Sequence, residues 1–599
     1  MRFIAAIVIF AISALLLVVG VSFKILSGPR ALETSVDLAS VESPFLLVDG
    51  AIMRANPGLQ TIEVGGGTAS FVSYGRTSDV LGWLGDATYT TVNYDAETNE
   101  MTVGKTVTPV PVTKEDGTDA AAATPPAAPN PSGSDMWLDE RTGKATASLS
   151  LNVTEDMSVL LAANGTEPVP PTLSITWPLP QPTFLWLNED NLIFLGGGLA
   201  VIGLLLYLWA LSHWRNQQGP RRRGRMPKPP RPRRYSPQDT PSIVAPSKGR
   251  RGAPRRRGAY FVALSVSTVF ALGLTACSSP YETGVVVDTP TPTSSALVQS
   301  DLPPVVTEAQ LRRIIADISE TVATADASSD RDLLRTRMSG GALATRMANY
   351  TMRANDGAIA ALPAIGNLPL TFVMPQAADT WPRSIMVVSQ DPNQPDAPTT
   401  GMVLIQESAR ENYKVEYLIT LEPDAYVPET APAEIGSPVL APDTKLLAIA
   451  PQDLALAYGD VLLNGEASQF YDSFDLTNDT LVAQVGHDYK ANKAASIAER
   501  ATVSFAETKG AGKDVALATL DSGAVVAVTL DEVEQVSPIQ TGAAVIPEGQ
   551  QKALLGTNAT SGVRSVYTLQ MVFYVPPIGS NQKIRLLGFT QGLTAASVG

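Results

Sequence analysis

The side chains best suited to nucleophilic or metal chemistry are rare in this sequence of 599 residues. It contains one cysteine, Cys277, and two histidines, His213 and His487. A single cysteine excludes an internal disulfide framework, and so few thiol and imidazole groups argue against a zinc site or a histidine-activated nucleophile. His487 and Asp488 are adjacent, but neighbouring helical residues point about 100° apart and do not form one catalytic constellation. We therefore predict no catalytic residues, no metal site and no cofactor.

Cys277 is the residue with the most specific surroundings. It follows Leu274, Thr275 and Ala276, and before them lie a basic stretch and an apolar run over residues 259–276. This arrangement resembles the lipobox of bacterial lipoproteins, in which the thiol takes a diacylglyceryl group and a signal peptidase cleaves just before the cysteine. The resemblance implies lipidation of Cys277 and cleavage after Ala276. The alternative is an ordinary third transmembrane helix with an incidental cysteine.

Two other apolar segments are long enough to cross a membrane. Residues 3–23 form a run of 21 without a charge, and residues 192–211 a run of 20, whereas about 20 residues suffice for a bilayer core of about 30 Å. The first run lacks a clear small-x-small cleavage site, which favours a retained anchor over a cleaved signal peptide. Gly196, Gly197 and Gly198 in the second run would permit close helix packing. We favour the alternative, in which they are tolerated glycines in a lone anchor.

Charge divides the chain by region. Residues 214–258 hold 15 lysines and arginines and one acid, a net of +14, whereas the whole chain has a net charge of −14, which leaves −28 for the rest. Under the positive-inside rule this basic stretch is cytoplasmic, so regions 27–190 and 278–599 are predicted to lie outside. Its proline content and its lack of interleaved aromatic residues argue against nucleic-acid binding and favour contact with anionic lipid headgroups.

Residues 27–190 are predicted to form an all-β domain. Short runs of alternating apolar and polar residues, separated by glycine and asparagine turns, are typical of a β-sandwich or barrel. A Pro/Ala/Gly-rich insertion over 107–134 is predicted to be disordered. The two least generic segments, "YGRTSDVLGWLGDATYT" and "SDMWLDERTG", hold Trp83 and Trp137, which we expect in the core. They also hold four acids that could pair as acid and base or bind a hard cation, although we favour loop caps and solvated acids: Asp79, Asp86, Asp139 and Glu140.

The region after a Pro/Ser/Thr-rich tether over 278–304 repeats one order of elements. A capping box at Thr307 and Gln310 begins a helix, a second helix follows, and four strand-like runs come next. Helices and strands then recur in the same order. We therefore predict two α+β domains, over 305–425 and 450–599.

The order of these elements carries a resemblance to a known fold. Helices packed on a curved antiparallel sheet resemble the cone-shaped fold of ketosteroid isomerase and nuclear transport factor two, here in element order only. If the cones are hollow, aromatic residues near the seam between helices and sheet are candidates to line a pocket: Tyr350, Trp381 and Tyr458. The whole chain also resembles uncharacterised actinobacterial membrane proteins and lipoproteins in "GRTSDVLGWLGD", "SDMWLDERTG", "TWPLP" and "LTAC". That resemblance brings no established activity.

Together these patterns predict a multidomain membrane protein of the bacterial cell envelope. Its membrane-related segments are an anchor (1–26), a transmembrane helix (191–213), a basic cytoplasmic loop (214–257) and a signal-like segment with the lipobox (258–277). We expect the outer domains to bind or scaffold a partner, which is an envelope protein, a glycan or a lipid, without catalysis. The alternatives are an extracytoplasmic enzyme that uses a cone-shaped pocket, and an accessory subunit of a secretion or cell-wall assembly complex.

Overall fold

The computed structural model describes residues 2–26, 31–108, 129–179, 189–217, 302–366, 369–391, 393, 398–423, 425–426 and 428–599. The basic loop, the signal-like segment with Cys277 and its lipobox, and almost all of the tether lie outside the described residues, as does most of the 107–134 insertion. The predictions for these segments stay predictions. The described residues divide into two compact units, a pair of apolar helices and the part formed by residues 31–178 and 302–599.

The apolar pair consists of α1 (Arg2–Leu26) and α4 (Glu189–Gln217). Each contains a stretch that is long and apolar enough to cross a membrane, Ile4–Ser22 in α1 and Asn191–His213 in α4. The two helices are antiparallel, since the end of α1 contacts the start of α4. Small buried residues recur at every seventh position on both helices: Ala6, Ser13 and Gly20 on α1, and Gly196, Gly203 and Ala210 on α4. This spacing is typical of two helices that share one packed seam.

Close approach of α1 and α4 depends on these small residues. The Ser13 hydroxyl donates a hydrogen bond of 2.7 Å to the carbonyl of Gly196. A Cβ atom at Gly196 would lie 2.9 Å from Leu17 Cγ, whereas one at Gly197 or Gly198 would meet nothing within 4 Å. Gly196 therefore serves helix packing and its two neighbours do not. The favoured prediction of a lone anchor was wrong for α4.

Residues 31–178 form two sheets that pack face to face. The elements are β1 (Ala31–Asp37), β2 (Phe45–Asp49), α2 (Gly50–Met53), β3 (Gln60–Gly65), β4 (Ser70–Arg76), α3 (Thr77–Leu84), β5 (Tyr89–Asp95), β6 (Glu100–Val107), β7 (Asp139–Gly143), β8 (Thr146–Leu151), β9 (Met157–Ala162) and β10 (Thr172–Pro178). One sheet has the order β1–β10–β3–β8 and the other the order β6–β5–β2–β9–β4–β7. Inward side chains of both sheets, such as Ile62, Val72 and Trp177, share one core. The β-rich character predicted for this region is confirmed, and we call it the sandwich.

Residues 302–599, here called the C-terminal region, combine helices with one large sheet. The helices are α5 (Glu308–Ser328), α6 (Arg331–Arg337), α7 (Gly340–Asn355), α8 (Pro451–Asn464), α9 (Thr480–Val485), α10 (His487–Ile497) and α11 (Gly549–Leu555). The strands are β11 (Leu370–Pro375), β12 (Arg383–Ser389), β13 (Thr400–Gln406), β14 (Lys414–Leu421), β15 (Ala501–Lys509), β16 (Val515–Ala518), β17 (Ala524–Pro538), β18 (Val563–Val575) and β19 (Arg585–Val598). Among the described residues the sheet order is β11–β12–β13–β14–β19–β18–β17–β15, with β16 beside β17.

Helices α5 to α10 and the strands of the C-terminal region follow in the order that the sequence predicts, whereas α11, between β17 and β18, was not predicted. The capping box that begins α5 is present, with the Gln310 N–H donating to the Thr307 hydroxyl at 3.2 Å and the Thr307 N–H donating to Gln310 Oε1 at 3.4 Å. Strands of the two predicted α+β halves join in one sheet through β14 and β19, which pair over Thr420–Phe589 and Leu421–Gly588. The two halves are therefore neighbours within a continuous sheet.

The large sheet is apolar on both of its faces. On one face α5 to α7 pack over β11–β14, and α8 and α9 pack over β17–β19. Val526 and Val528 of β17 point into this helix-covered side, whereas Val525 and Ala527 belong to a separate core on the opposite face. Continuous apolar runs such as "AVVAV" are typical of strands buried on both faces. We call the side without α5 to α9 the open face.

Candidate functional site

Tyr350 and Tyr458, two of the aromatic pocket candidates, lie in the cores beneath the helices. The Tyr350 hydroxyl donates to Asp326 Oδ1 at 2.6 Å, and the Tyr458 hydroxyl donates to Asp479 Oδ2 at 2.7 Å. Burial raises the pKa of both phenols, and the neighbouring carboxylates raise it further. Both therefore act as protonated donors inside the protein. Neither lines the three cavities described below.

Trp381, the third candidate, lies where the C-terminal region contacts the sandwich. A Cβ atom added to Gly82 of α3 would lie 2.6 Å from Trp381 Cη2, so the ring is pressed against α3. The indole N–H donates to Gln406 Oε1 at 3.0 Å. The Arg383 guanidinium stacks 3.9 Å from the ring centroid. Trp381 is thus an interface residue.

The open face of the sheet carries a cavity of about 370 Å³, which we call the open-face pocket. This volume falls in the range of small-molecule sites. Strands β11–β14 and β17–β19 supply its walls with apolar side chains: Phe372, Met386, Val388, Val403, Ile419, Leu421, Val525, Val572 and Leu587. Because strand residues alternate between faces, these side chains alternate along the strands with those that pack under the helices.

Few polar groups line the open-face pocket. Among its described lining residues, Glu422 and Tyr426 are the ones that ionise. The Glu422 carboxylate accepts a hydrogen bond of 2.7 Å from the Thr480 hydroxyl at the start of α9. The Tyr426 ring packs edge-on against Tyr574 with 5.1 Å between the ring centroids. The pocket suits the binding of an apolar group.

A polar groove of about 750 Å³ adjoins the open-face pocket and shares Glu422 and Tyr426 with it. In the groove, Asp475 Oδ2 lies 3.2 Å from Arg585 Nε. Burial raises the pKa of Asp479, which also lines the groove. The apolar pocket and the polar groove therefore meet at the segment after β14 that contains Glu422 and Tyr426.

The seam between helices and sheet, where the sequence places a pocket, holds a cavity of about 430 Å³ beside α7. Its lining includes Thr345, Arg346 and Gln570. The Arg346 guanidinium is held by Asp326 and by the carbonyl of Pro363, at 2.8 Å from the latter. This cavity is more polar than the open-face pocket, and its charged group is already paired.

The four acids of the two least generic segments are not brought together. Each has its own partner: Asp79 pairs with Arg383 at 2.6 Å, Asp86 with Arg410 at 2.8 Å, Asp139 with Arg141 at 2.6 Å, and the Glu140 carboxylate accepts from the N–H of Gly133 at 3.0 Å. They form neither an acid–base pair nor a cation site. Asp79 is buried, so its interpretation as a solvated acid was wrong. Trp83 and Trp137 do lie in the core, with 5.4 Å between their ring centroids.

Residues 76–86 and 133–138 of the sandwich contact the C-terminal region across a surface that we call the interdomain interface. Asp135, which sequence reasoning missed, is buried at its centre. Its Oδ2 atom lies 2.5 Å from Arg337 Nη1 and accepts from the Tyr413 N–H at 2.8 Å. The Gln310 side chain donates to the Asp135 carbonyl at 2.6 Å. Burial raises the pKa of Asp135, while Arg337 opposes that rise. The sequence feature that could have pointed to Asp135 is its position between Ser134 and Met136, next to the core residue Trp137.

Comparison with known proteins delimits one region of the chain. Residues 302–598 match the model of a domain of unknown function (DUF8094). No curated protein and no solved structure matches the chain. The match covers both halves of the C-terminal region as one unit, in agreement with their shared sheet. It carries no activity with it.

Proposed function

We propose that this chain is a membrane-anchored cell-envelope protein that binds the acyl portion of a lipid, or a similar apolar group, in the open-face pocket without catalysis. In this proposal α1 and α4 cross the membrane, loop 214–257 is cytoplasmic, and the sandwich and the C-terminal region lie outside. The antiparallel course of α1 and α4 supports this topology, because it returns the chain to the side from which it started. Lipidation of Cys277 would supply a further anchor.

The apolar open face is the observation that carries the binding proposal. Strands whose side chains are apolar on both faces need a cover on both, because exposed apolar surface costs about 25 cal/mol per Å². Helices α5 to α9 cover one face. On the other, the segment around Ser437 and Val439 bridges to Gln376 and Leu517, and the open-face pocket remains beside it. A lipid chain matches that surface in chemistry, and a membrane protein meets lipids more often than any other apolar molecule.

The lining of the pocket favours binding over an enzymatic role. General acid–base catalysis needs an ionisable group held in apolar surroundings within reach of the reacting atoms. Glu422 is only partly buried and Tyr426 is exposed, so neither is enclosed in apolar surroundings. Polar groups at the adjoining groove are placed to contact a lipid headgroup while the acyl chain occupies the pocket.

The test is to purify the full chain from its native membranes and to identify co-purifying lipids by mass spectrometry after extraction. A fluorescent fatty acid then measures the affinity of the delipidated protein. Val403 lines the pocket and is buried, so Val403→Trp should fill it and weaken probe binding by at least tenfold. The matched control is Thr508→Trp at an exposed position of β15 in the same sheet, which should leave binding unchanged.

Three results would contradict the proposal. They are a purified protein without stoichiometric lipid, a probe that fails to bind saturably, and equal binding by wild type and Val403→Trp. Resistance of the C-terminal region to protease in both variants ensures that a loss of binding is not a loss of folding.

A further inference from the structure

We infer that the interdomain interface holds the sandwich and the C-terminal region together without the covalent connection between them, so that a chain cut between residues 218 and 301 would persist as a two-chain complex. This inference does not depend on the pocket, but it rests on the proposed anchoring of α1 and α4 in the membrane. It assigns each region a partner: the sandwich is the receptor that keeps the C-terminal region at the membrane.

Two buried ion pairs lie at the centre of the interface. Arg383 and Asp79 retain 1% and 7% of their side-chain exposure, and Arg337 and Asp135 retain 8% and 1%. In each pair the aspartate comes from the sandwich and the arginine from the C-terminal region. Removing one member of a buried pair leaves the other charge without compensation. Each region therefore presents charges that only the other neutralises.

Two further arginines of the C-terminal region bind the backbone of the sandwich. Arg410 donates to the carbonyls of Trp83 and Leu84 at 2.8 Å and 2.5 Å, at the C-terminal end of α3. Arg313 donates to the carbonyls of Trp137 and Leu138, at 3.1 Å from the latter. A cation at a helix C-terminus is favourable because the last carbonyls have no partner within the helix. These contacts depend on the folded shape of the sandwich and not on single side chains.

Apolar contacts accompany the charged contacts of the interface. The ring of Trp381 occupies the space left by the missing side chain of Gly82. Ala409 of the C-terminal region is buried in the same core cluster as Trp83 and Trp137 of the sandwich. Tryptophan and arginine anchors in desolvated settings are the residues that dominate the affinity of protein–protein interfaces. The interface thus has the composition of one that forms between separate chains.

The experiment uses the full chain with a protease recognition sequence inserted after residue 290 and a tag at the C-terminus. Cleavage there separates the C-terminal region from every apolar segment and from Cys277. Washed membranes are treated with the protease and sedimented in 0.5 M salt. We expect the tagged C-terminal region to stay in the pellet, because buried ion pairs are little screened. Its release into the supernatant would overturn the inference.

A matched pair of double variants shows whether the interface causes retention. Arg313→Ala with Arg410→Ala removes four hydrogen bonds to carbonyls of the sandwich and the ion pair of Arg410 with Asp86, and it should increase release at least tenfold. Arg312→Ala with Arg335→Ala removes exposed pairs within the C-terminal region, to Glu308 and Asp332, and should leave retention unchanged. Equal retention of both double variants would mean that membrane adhesion holds the region, which would also overturn the inference.

A charge exchange gives a test of pairing. Arg383→Asp should release the C-terminal region, and combining it with Asp79→Arg should restore a measurable part of the retention. The role assigned to this pair would be contradicted if the exchange restored no retention. That outcome counts only if the wild type and the Arg312→Ala/Arg335→Ala control are retained in the same experiment.

Discussion

Lys490 of α10 lies between two buried carboxylates, and this arrangement predicts a pH dependence of stability. Its Nζ atom is 2.5 Å from Glu532 Oε2 on β17 and 3.3 Å from Glu507 Oε1 on β15. All three side chains are buried, and one ammonium cannot neutralise two acids. Desolvation raises the pKa of Glu507 to about 7, with Lys490 opposing the rise and Glu532 adding to it.

Whether stability rises or falls with pH is decided by comparison with the ordinary glutamate pKa of 4.5, which applies to the unfolded chain. Because the folded state holds the proton more tightly, stability is full below pH 4.5 and falls as pH rises through 7. A shift of this size corresponds to about 3 kcal/mol in total. Between pH 5.5 and 8.5 the loss is about 2 kcal/mol, since part of it has already occurred at pH 5.5.

Glu507→Gln keeps the shape of the side chain and removes its ionisation. Pulse proteolysis of the full chain in detergent, over a urea series and with a C-terminal tag as readout, gives the unfolding free energy of the C-terminal region at both pH values. We expect wild type to lose about 2 kcal/mol more than Glu507→Gln. Glu499→Gln, at an exposed position, should behave as wild type. Equal losses in wild type and Glu507→Gln would refute the reasoning.

Three further predictions concern the membrane-related segments. Cys277→Ser should abolish fatty-acid labelling and shift a C-terminally tagged product from about half of 63.2 kDa to the full mass, whereas unlabelled full-length wild type would contradict the lipobox. Single cysteines near positions 100 and 500 should react with a membrane-impermeant reagent on intact cells, and one near 240 should not; labelling at 240 would contradict the topology. Gly196→Leu should reduce disulfide formation between cysteines placed at positions 20 and 193, whereas Gly197→Leu should not, because Gly196 faces α1 and Gly197 does not; equal cross-linking would argue against the packed seam.

Local sequence patterns were sufficient to predict most of the secondary structure of this chain. The capping box of α5 and the alternation of the sandwich strands arise from residues within a few positions of each other. Pairing between the two halves of the C-terminal region has no such local source. β14 and β19 meet over two residue pairs that lie far apart in the sequence, and no turn or periodicity specifies their contact.

The ion pairs of the interdomain interface could not be predicted from the sequence for the same reason. Asp79 and Arg383 are 304 positions apart, and Asp135 and Arg337 are 202 apart. Sequence alone predicts that such an acid is solvated, because a single sequence does not show which distant arginine is its partner. The segments "GRTSDVLGWLGD" and "SDMWLDERTG" were nevertheless the least generic in the sandwich. Their composition is explained by a surface that one other region must recognise.

The position of the pocket could not be predicted from sequence periodicity, because the strands that line it are apolar on both faces. Where a strand alternates apolar and polar residues, the buried face is known, and a pocket is sought beneath the helices that cover it. β17 and β18 are apolar at successive positions, with Val572 on the open face between Met571 and Phe573 on the helix-covered face. Such runs reveal that both faces are buried but not what buries each. Tyr350 and Tyr458 pack in the cores beneath the helices, and the cavity that remains on that side has a more polar lining than the open-face pocket. A ligand in the open-face pocket would complete that second core, which makes binding and stability of the sheet two measures of the same contact.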